Sequence, residues 1–348
     1  MNKRMLGPIM MDLEGPVLQP HEAQQLQHPA VGGVILFTRN YQNPTQLAAL
    51  TASIREQRAE LLIAADTEGG RVQRFRDGFV QLPAAADLGQ LYAHDPHVAV
   101  DCALAFGWIL AAELRAVDVD LAFAPVLDIC GGVSQVIGNR AFATDPNAVI
   151  ALTQAFSDGF ERAGMACTGK HFPGHGYVTP DSHVELPVDM RSYAEIDACD
   201  LQPYRAAIQA GLPSVMVAHV LYSAIDAHPA SISAWWIGEV LRRRLCFTGA
   251  VFSDDLSMGG LADYGDAVAR TRLALNAGCD MIPLCNRPQD VAQVLSEAGL
   301  SPDPESQARL DALRRPRSYR GLDALPASPD YSHYFNVLQD NMNVKVEF

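Results

Sequence analysis

No stretch of the 348 residues reaches the roughly 18 uninterrupted apolar positions from which a membrane helix is read, so no membrane span is expected. The N-terminus, MNKRMLGPIMMDLEGPVL, carries two early basic residues but no long apolar segment and no small-residue cleavage site. Asp12 and Glu14 interrupt its apolar run, which predicts a strand rather than a signal peptide. Cysteine is sparse and unpatterned. Cys102, Cys130, Cys167, Cys199, Cys246, Cys279 and Cys285 are odd in number and never form CxxC, which excludes a disulfide framework and a zinc ribbon. Free thiols in a reducing cytoplasm are the simplest expectation. An excess of positive charge is also lacking: the formal net charge is −14, against non-specific binding of nucleic acid or of an anionic membrane. The glycine-rich spacings GxGxxG and GxxxxGK[ST] are missing, as are the helical metal pairs HExxH and HxxEH.

Apolar residues are present in quantity, 49% of the chain, enough for a sizeable core. They fall into short β-rich runs alternating with longer amphipathic or Ala/Leu-rich stretches. The runs predict strands at Gly7–Leu13, Gly33–Phe37, Leu61–Asp66, Leu121–Leu127, Ala166–His171, Ser214–His219, Gly249–Asp254 and Asp280–Leu284. Helices are expected at Pro44–Arg58, Pro96–Ala116, Pro146–Ala163, Tyr193–Ala210, Ala234–Arg244, Ala267–Ala277 and Pro288–Ala298. In the segment ISAWWIGEVLRRRL, Ser233 reads as an N-cap and Trp235, Ile237, Val240 and Leu241 as one apolar stripe. Strands alternating with helices imply βαβ units and a parallel sheet. Eight such units favour an α/β architecture closed as a single (β/α)8 TIM-type barrel. DLEG, DTEGGR, VLDIC, KHFPGH, AHVLY and SDDLSM each lie at the C-terminal end of a predicted strand, the rim on which barrel active sites are built. An open sheet would gather its polar residues at one switch point. No interdomain linker is visible, so residues 1–348 are expected to form one domain. Residues 317–348, turn-rich and aromatic with little periodicity, are read as a tail packed on it through Tyr331, Tyr334 and Phe335.

The segment Gly169–His183, GKHFPGHGYVTPDSH, gathers three histidines, a lysine and an aspartate on a strand end and loop. Asp181 stands two residues from His183, so its carboxylate can bond one ring nitrogen, fix the tautomer and favour the protonated form. An imidazole tuned in this way suits proton donation followed by acceptance; the alternative is an ordinary solvated loop histidine. In FSDDLSM two adjacent carboxylates end a strand, where neighbouring side chains point to opposite sides. One is therefore expected to face a substrate and the other to cap the following turn, unless both are structural. In DTEGGRVQRF, Asp66 can accept bonds from sugar hydroxyls and Arg74 can donate them. Arg140, in IGNRAF, is a further cation.

Together DTEGGRVQRF, IGNRAF, KHFPGHG, DSH and SDDLSM resemble the single-domain bacterial β-N-acetylglucosaminidases of glycoside hydrolase family 3, over roughly residues 7–290. The resemblance implies a retaining mechanism with Asp254 as nucleophile, His183 as acid/base and Asp181 as the partner of His183, in place of the usual second carboxylate. It implies that Asp66, Arg74, Arg140, Lys170 and His171 hold the N-acetylglucosamine ring, with no cofactor and no metal. Because Lys170 and His171 are neighbours yet both reach one sugar, a distorted or cis peptide is expected within Lys170–Pro173. Gly259, Tyr177 and Val178 depart from the family's usual residues. For such a protein the resemblance implies cytoplasmic removal of terminal N-acetylglucosamine from anhydro-muropeptides in cell-wall recycling. Three rivals stand beside this expectation. A phosphorylase could use the same residues, because a neutral histidine does not repel phosphate. A metal-dependent barrel hydrolase would group His171, His175, His183, Asp66 and Asp254 around an ion. A non-catalytic sugar-binding protein would not need both Asp254 and the Asp181–His183 dyad.

Overall fold

The computed structural model of the chain describes residues 4–179, 182, 185–314 and 321–346. All eight expected strands are present, most of them shorter than the apolar runs that encode them: β1 (Ile9–Asp12), β2 (Val31–Leu36), β3 (Leu62–Ala65), β4 (Leu121–Ala122), β5 (Thr168–Phe172), β6 (Ser214–Val217), β7 (Ala250–Ser253) and β8 (Ile282–Leu284). Every residue of these strands is buried, which is why they read as apolar runs and not as alternating patterns. Pairing among these eight strands is parallel. One sheet runs β8-β1-β2-β3-β4 and the other β7-β6-β5. Single parallel bridges join them, Leu121 to Ala166 and Val126 to Lys170 on one side, Phe252 to Met281 on the other. β4 stops early because Pro125 has no N–H to donate, yet bonds from Thr168 N to Ala124 O (2.7 Å) and Leu127 N to Lys170 O (2.6 Å) keep the segment beside β5.

The helices that follow the strands are α1 (Pro20–Leu26), α2 (Pro44–Gln57), α3 (Ala85–His94), α4 (Pro96–Ala116), α5 (Pro146–Arg162), α6 (Tyr193–Ala198), α7 (Leu201–Gln209), α8 (Ala267–Ala277), α9 (Pro288–Glu297), α10 (Pro304–Asp311) and α11 (Pro329–Met342). Their starts are written locally: Asn43, Asp95, Asp145 and Asp303 each precede a proline at the first helical turn and accept a bond from a backbone N–H. α4 is long and apolar enough to cross a membrane by length and composition, with mean hydropathy 1.5, but 72% of that stretch is buried inside the protein. It lies so close to α5 that a Cβ at Gly107 would stand 2.1 Å from Phe156 O, and one at Gly159 2.3 Å from Leu104 O.

Three expectations are corrected. Tyr193–Ala210 is two helices, α6 and α7, not one. Trp235–Arg244 winds as a π-helix, whose wider turn buries Trp236 with Ile237, Val240 and Leu241 and leaves Trp235 only half-buried; Ser233 still caps it, Oγ accepting from Trp236 N at 3.0 Å. The C-terminal segment contains a regular 14-residue helix, α11, which packs against α4. Tyr331, Tyr334, Phe335 and Leu338 recur on one face at helical spacing, with Tyr334 4.9 Å from the Trp108 ring.

Candidate active site

The C-terminal ends of the strands and the loops beyond them surround a cavity of about 470 Å³. Asp66, Arg74, Arg140, Lys170, His171 and Asp254, widely separated in the chain, all line it. Its size suits a small polar ligand. Asp181 and His183 lie outside the described residues.

Lys170, in the middle of β5, is almost fully buried, and its ammonium stands between two carboxylates, 3.0 Å from Asp66 Oδ1 and 2.7 Å from Glu68 Oε1. An ammonium has three N–H donors, one more than these two carboxylates use. Arg74 reaches Asp66 Oδ2 at 3.0 Å, and Arg140 grips Glu68 through two bonds, Nε at 2.8 Å and Nη2 at 2.7 Å. Burial works against both carboxylates being charged, but the cations outweigh it. Lys170 and then Arg74 hold Asp66 far below the usual carboxylate range, and Arg140 and then Lys170 hold Glu68 down at about 2.

His171 sits against this network. Its Nδ1 is 2.7 Å from Asp128 Oδ2 and its Nε2 is 3.3 Å from Arg140 Nη2. Asp128 is fully buried and also accepts from two backbone groups, His171 N at 3.1 Å and His175 N at 2.8 Å. Burial opposes its charge, and His171 followed by His175 more than offsets this, leaving Asp128 below its ordinary range. The peptide between Lys170 and His171 is cis, as is that between Phe172 and Pro173, within the stretch expected to depart from a regular strand. Beyond it His175 is buried, and burial pushes its imidazole down toward the neutral form. Its Nε2 lies 3.2 Å from Ser182 Oγ. Gly176 is fixed by contact: a Cβ there would fall 1.8 Å from Ile129 O.

The two aspartates after β7 are used differently. Asp255 Oδ1 accepts from Ser257 N at 2.9 Å and Cys285 N at 3.0 Å, while Oδ2 accepts from Ser257 Oγ at 2.7 Å. It ties the turn after β7 to the end of β8, and burial raises it to about 6. Asp254 accepts from Asp255 N at 2.9 Å and is only partly buried at the cavity. Sequence reasoning named Asp66, Arg74, Arg140, Lys170, His171 and Asp254, but it missed Glu68 and Asp128. Glu68 lies inside the quoted DTEGGR motif, and Asp128 ends an apolar run, Phe123–Leu127, where a carboxylate is forced inward.

Comparison with known proteins is consistent with this arrangement. The family model described as "Glycosyl hydrolase family 3 N terminal domain" matches residues 10–313. A beta-hexosaminidase of Alkalilimnicola ehrlichii is 53% identical over 310 residues, covering 89% of each chain. One of Bordetella avium is 51% identical over 329 residues, covering 94% of this chain and 93% of its own. The crystal structure of NagZ from Neisseria gonorrhoeae in complex with N-trifluoroacetyl-D-glucosamine superposes with a TM-score of 0.91 at 40% identity, covering 98% of this chain and 99% of that one. With the family model matched over most of the chain and relatives half identical along nearly its whole length, the chain belongs to glycosyl hydrolase family 3 and is a glycoside hydrolase of the beta-hexosaminidase kind.

Proposed function

We propose that this enzyme is a retaining exo-β-N-acetylglucosaminidase that removes terminal N-acetylglucosamine from peptidoglycan fragments in the cytoplasm. The observation that carries the reading is the single cavity lined by Asp254 together with Asp66, Arg74, Arg140, Lys170 and His171. The scaffold in this reading is one domain, a closed (β/α)8 barrel. The bridges that join the two parallel sheets along both of their edges support closure, and the packing of α11 on α4 supports one body.

In the first step an Asp254 oxygen forms a bond to the anomeric carbon as the glycosidic C–O bond breaks, and protonated His183 passes its proton to the leaving oxygen. In the second, neutral His183 takes a proton from water, whose oxygen attacks the anomeric carbon and releases Asp254. Asp181 favours the protonated imidazole in the first step. The mechanism uses side chains alone. Seven free cysteines, odd in number and never in CxxC, support a reducing compartment.

The test is covalent trapping with a 5-fluoro N-acetylglucosaminyl fluoride, followed by peptide mapping. Label on Asp254 is expected. Label on Asp255, or full turnover of an aryl β-N-acetylglucosaminide by Asp254→Ala, would overturn the assignment.

A further inference from the structure

Asp128 is fully buried and is not among the residues that line the cavity, yet it meets His171, a lining group whose donor and acceptor pattern can change. A guanidinium has only donors. Arg140 Nη2, 3.3 Å from His171 Nε2, therefore requires that nitrogen to accept. The ring's proton must then sit on Nδ1, which faces Asp128 Oδ2 at 2.7 Å, an oxygen that can only accept while ionised. The second oxygen of Asp128 is occupied by His171 N and His175 N, so the carboxylate cannot turn away without leaving two buried N–H groups unpaired.

We infer that Asp128 is a positioning residue for sugar binding: it selects the Nδ1–H tautomer of His171 and so orders the Arg140–His171 edge of the cavity. The same carboxylate ties His175, on the loop leading toward Asp181 and His183, to the residue that faces the sugar. The inference rests on the proposed reading of the cavity as the site for N-acetylglucosamine, but the tautomer does not depend on that reading.

Asn at position 128 is the discriminating change. Its carbonyl oxygen can keep the two backbone bonds, while its amide nitrogen can only donate toward His171 Nδ1. The proton is then forced onto Nε2, where a donor faces the donors of Arg140. The expected results are as follows. In the wild-type enzyme, 15N NMR of labelled histidine shows His171 protonated at Nδ1 and unprotonated at Nε2; in D128N the pattern reverses. The dissociation constant for N-acetylglucosamine rises about tenfold or more, the order expected when a hydrogen bond to a charged group is lost. KM for an aryl β-N-acetylglucosaminide rises with it, by more than kcat falls. A proton on Nε2 in the wild-type enzyme overturns the inference even if D128N fails to fold, and so does a folded D128N with unchanged tautomer and affinity. Wild-type enzyme that shows the Nδ1–H tautomer but binds no N-acetylglucosamine instead refutes the reading of the cavity and leaves the tautomer assignment standing.

Discussion

Glu113 offers a quantitative test of how the C-terminal helix is held. It lies on α4, 3% exposed, with no cation among its hydrogen-bond partners. Its carboxyl group meets Val80 N at 3.1 Å through both oxygens and the Tyr331 hydroxyl of α11 at 2.8 Å. Burial is the largest influence and raises its pKa from 4.5 to about 8, the two hydrogen bonds offsetting only part of it. Between these values the folded chain holds a proton that the unfolded chain has released, so stability from this group is fully present below pH 4.5 and is lost as pH rises through 8. The displacement is worth about 5 kcal/mol in all, of which about 3 kcal/mol is lost between pH 6 and pH 9. Glu113→Gln keeps an oxygen that can accept from Val80 N and from the Tyr331 hydroxyl, and it does not titrate. Urea unfolding of both proteins from pH 6 to pH 9 should show Gln gaining on Glu by about 3 kcal/mol across that range. Groups common to both proteins cancel in this difference. A gap that stays constant with pH would refute the reasoning.

Lys170→Met leaves Asp66 and Glu68 facing each other without their shared cation and should cost about 3 kcal/mol or more in urea unfolding; a loss of a few tenths would mean that Arg74 and Arg140 alone neutralise the pair. For Asp255, raised from 3.8 to about 6, the sign is that of Glu113 in a lower window: its contribution is present below pH 3.8 and lost as pH passes 6. Asp255→Asn should therefore gain about 2 kcal/mol on the wild type between pH 4 and pH 7, measured as the change in the stability difference, and no change would place the Asp255 proton elsewhere.

The strands were legible because each is buried on both faces and ends in polar residues, so that an apolar run breaking at Asp12, Asp66 or Asp254 marks both a strand and its functional end. Helix starts at Asn43-Pro44, Asp95-Pro96 and Asp145-Pro146 were equally plain. What escaped was short or long-range. α1 is seven residues, most of them polar, and starts through Glu22 accepting from Gln19 N, a contact too local to produce periodicity. α11 carried its signals, Ser328-Pro329 before it and Asn343 in the left-handed conformation after it, but the tyrosines and turn residues around them obscured the helical spacing. Glu68 and Asp128 could not be assigned partners from spacing, because Arg140 is 72 positions from the first and His171 is 43 from the second. Only the folded chain brings these charges together.

The same accounting separates the two aspartates that the motif SDDLSM leaves side by side. A nucleophile needs an oxygen lone pair that can be spent on the anomeric carbon. Asp255 has three donors on its two oxygens, and swinging it toward a sugar would unpair Cys285 N and Ser257 N, each a backbone group whose desolvation is costly. It would also cut the link between the end of β7 and the end of β8 that shapes this edge of the cavity. Asp254 is partly buried and lines the cavity, and its Oδ1 accepts from the next residue's N–H. Adjacent residues at a strand end diverge, so the chain can give one carboxylate to the scaffold and the other to the substrate. The commitment of Asp255 to holding the rim is the physical ground for proposing Asp254, and not Asp255, as the nucleophile.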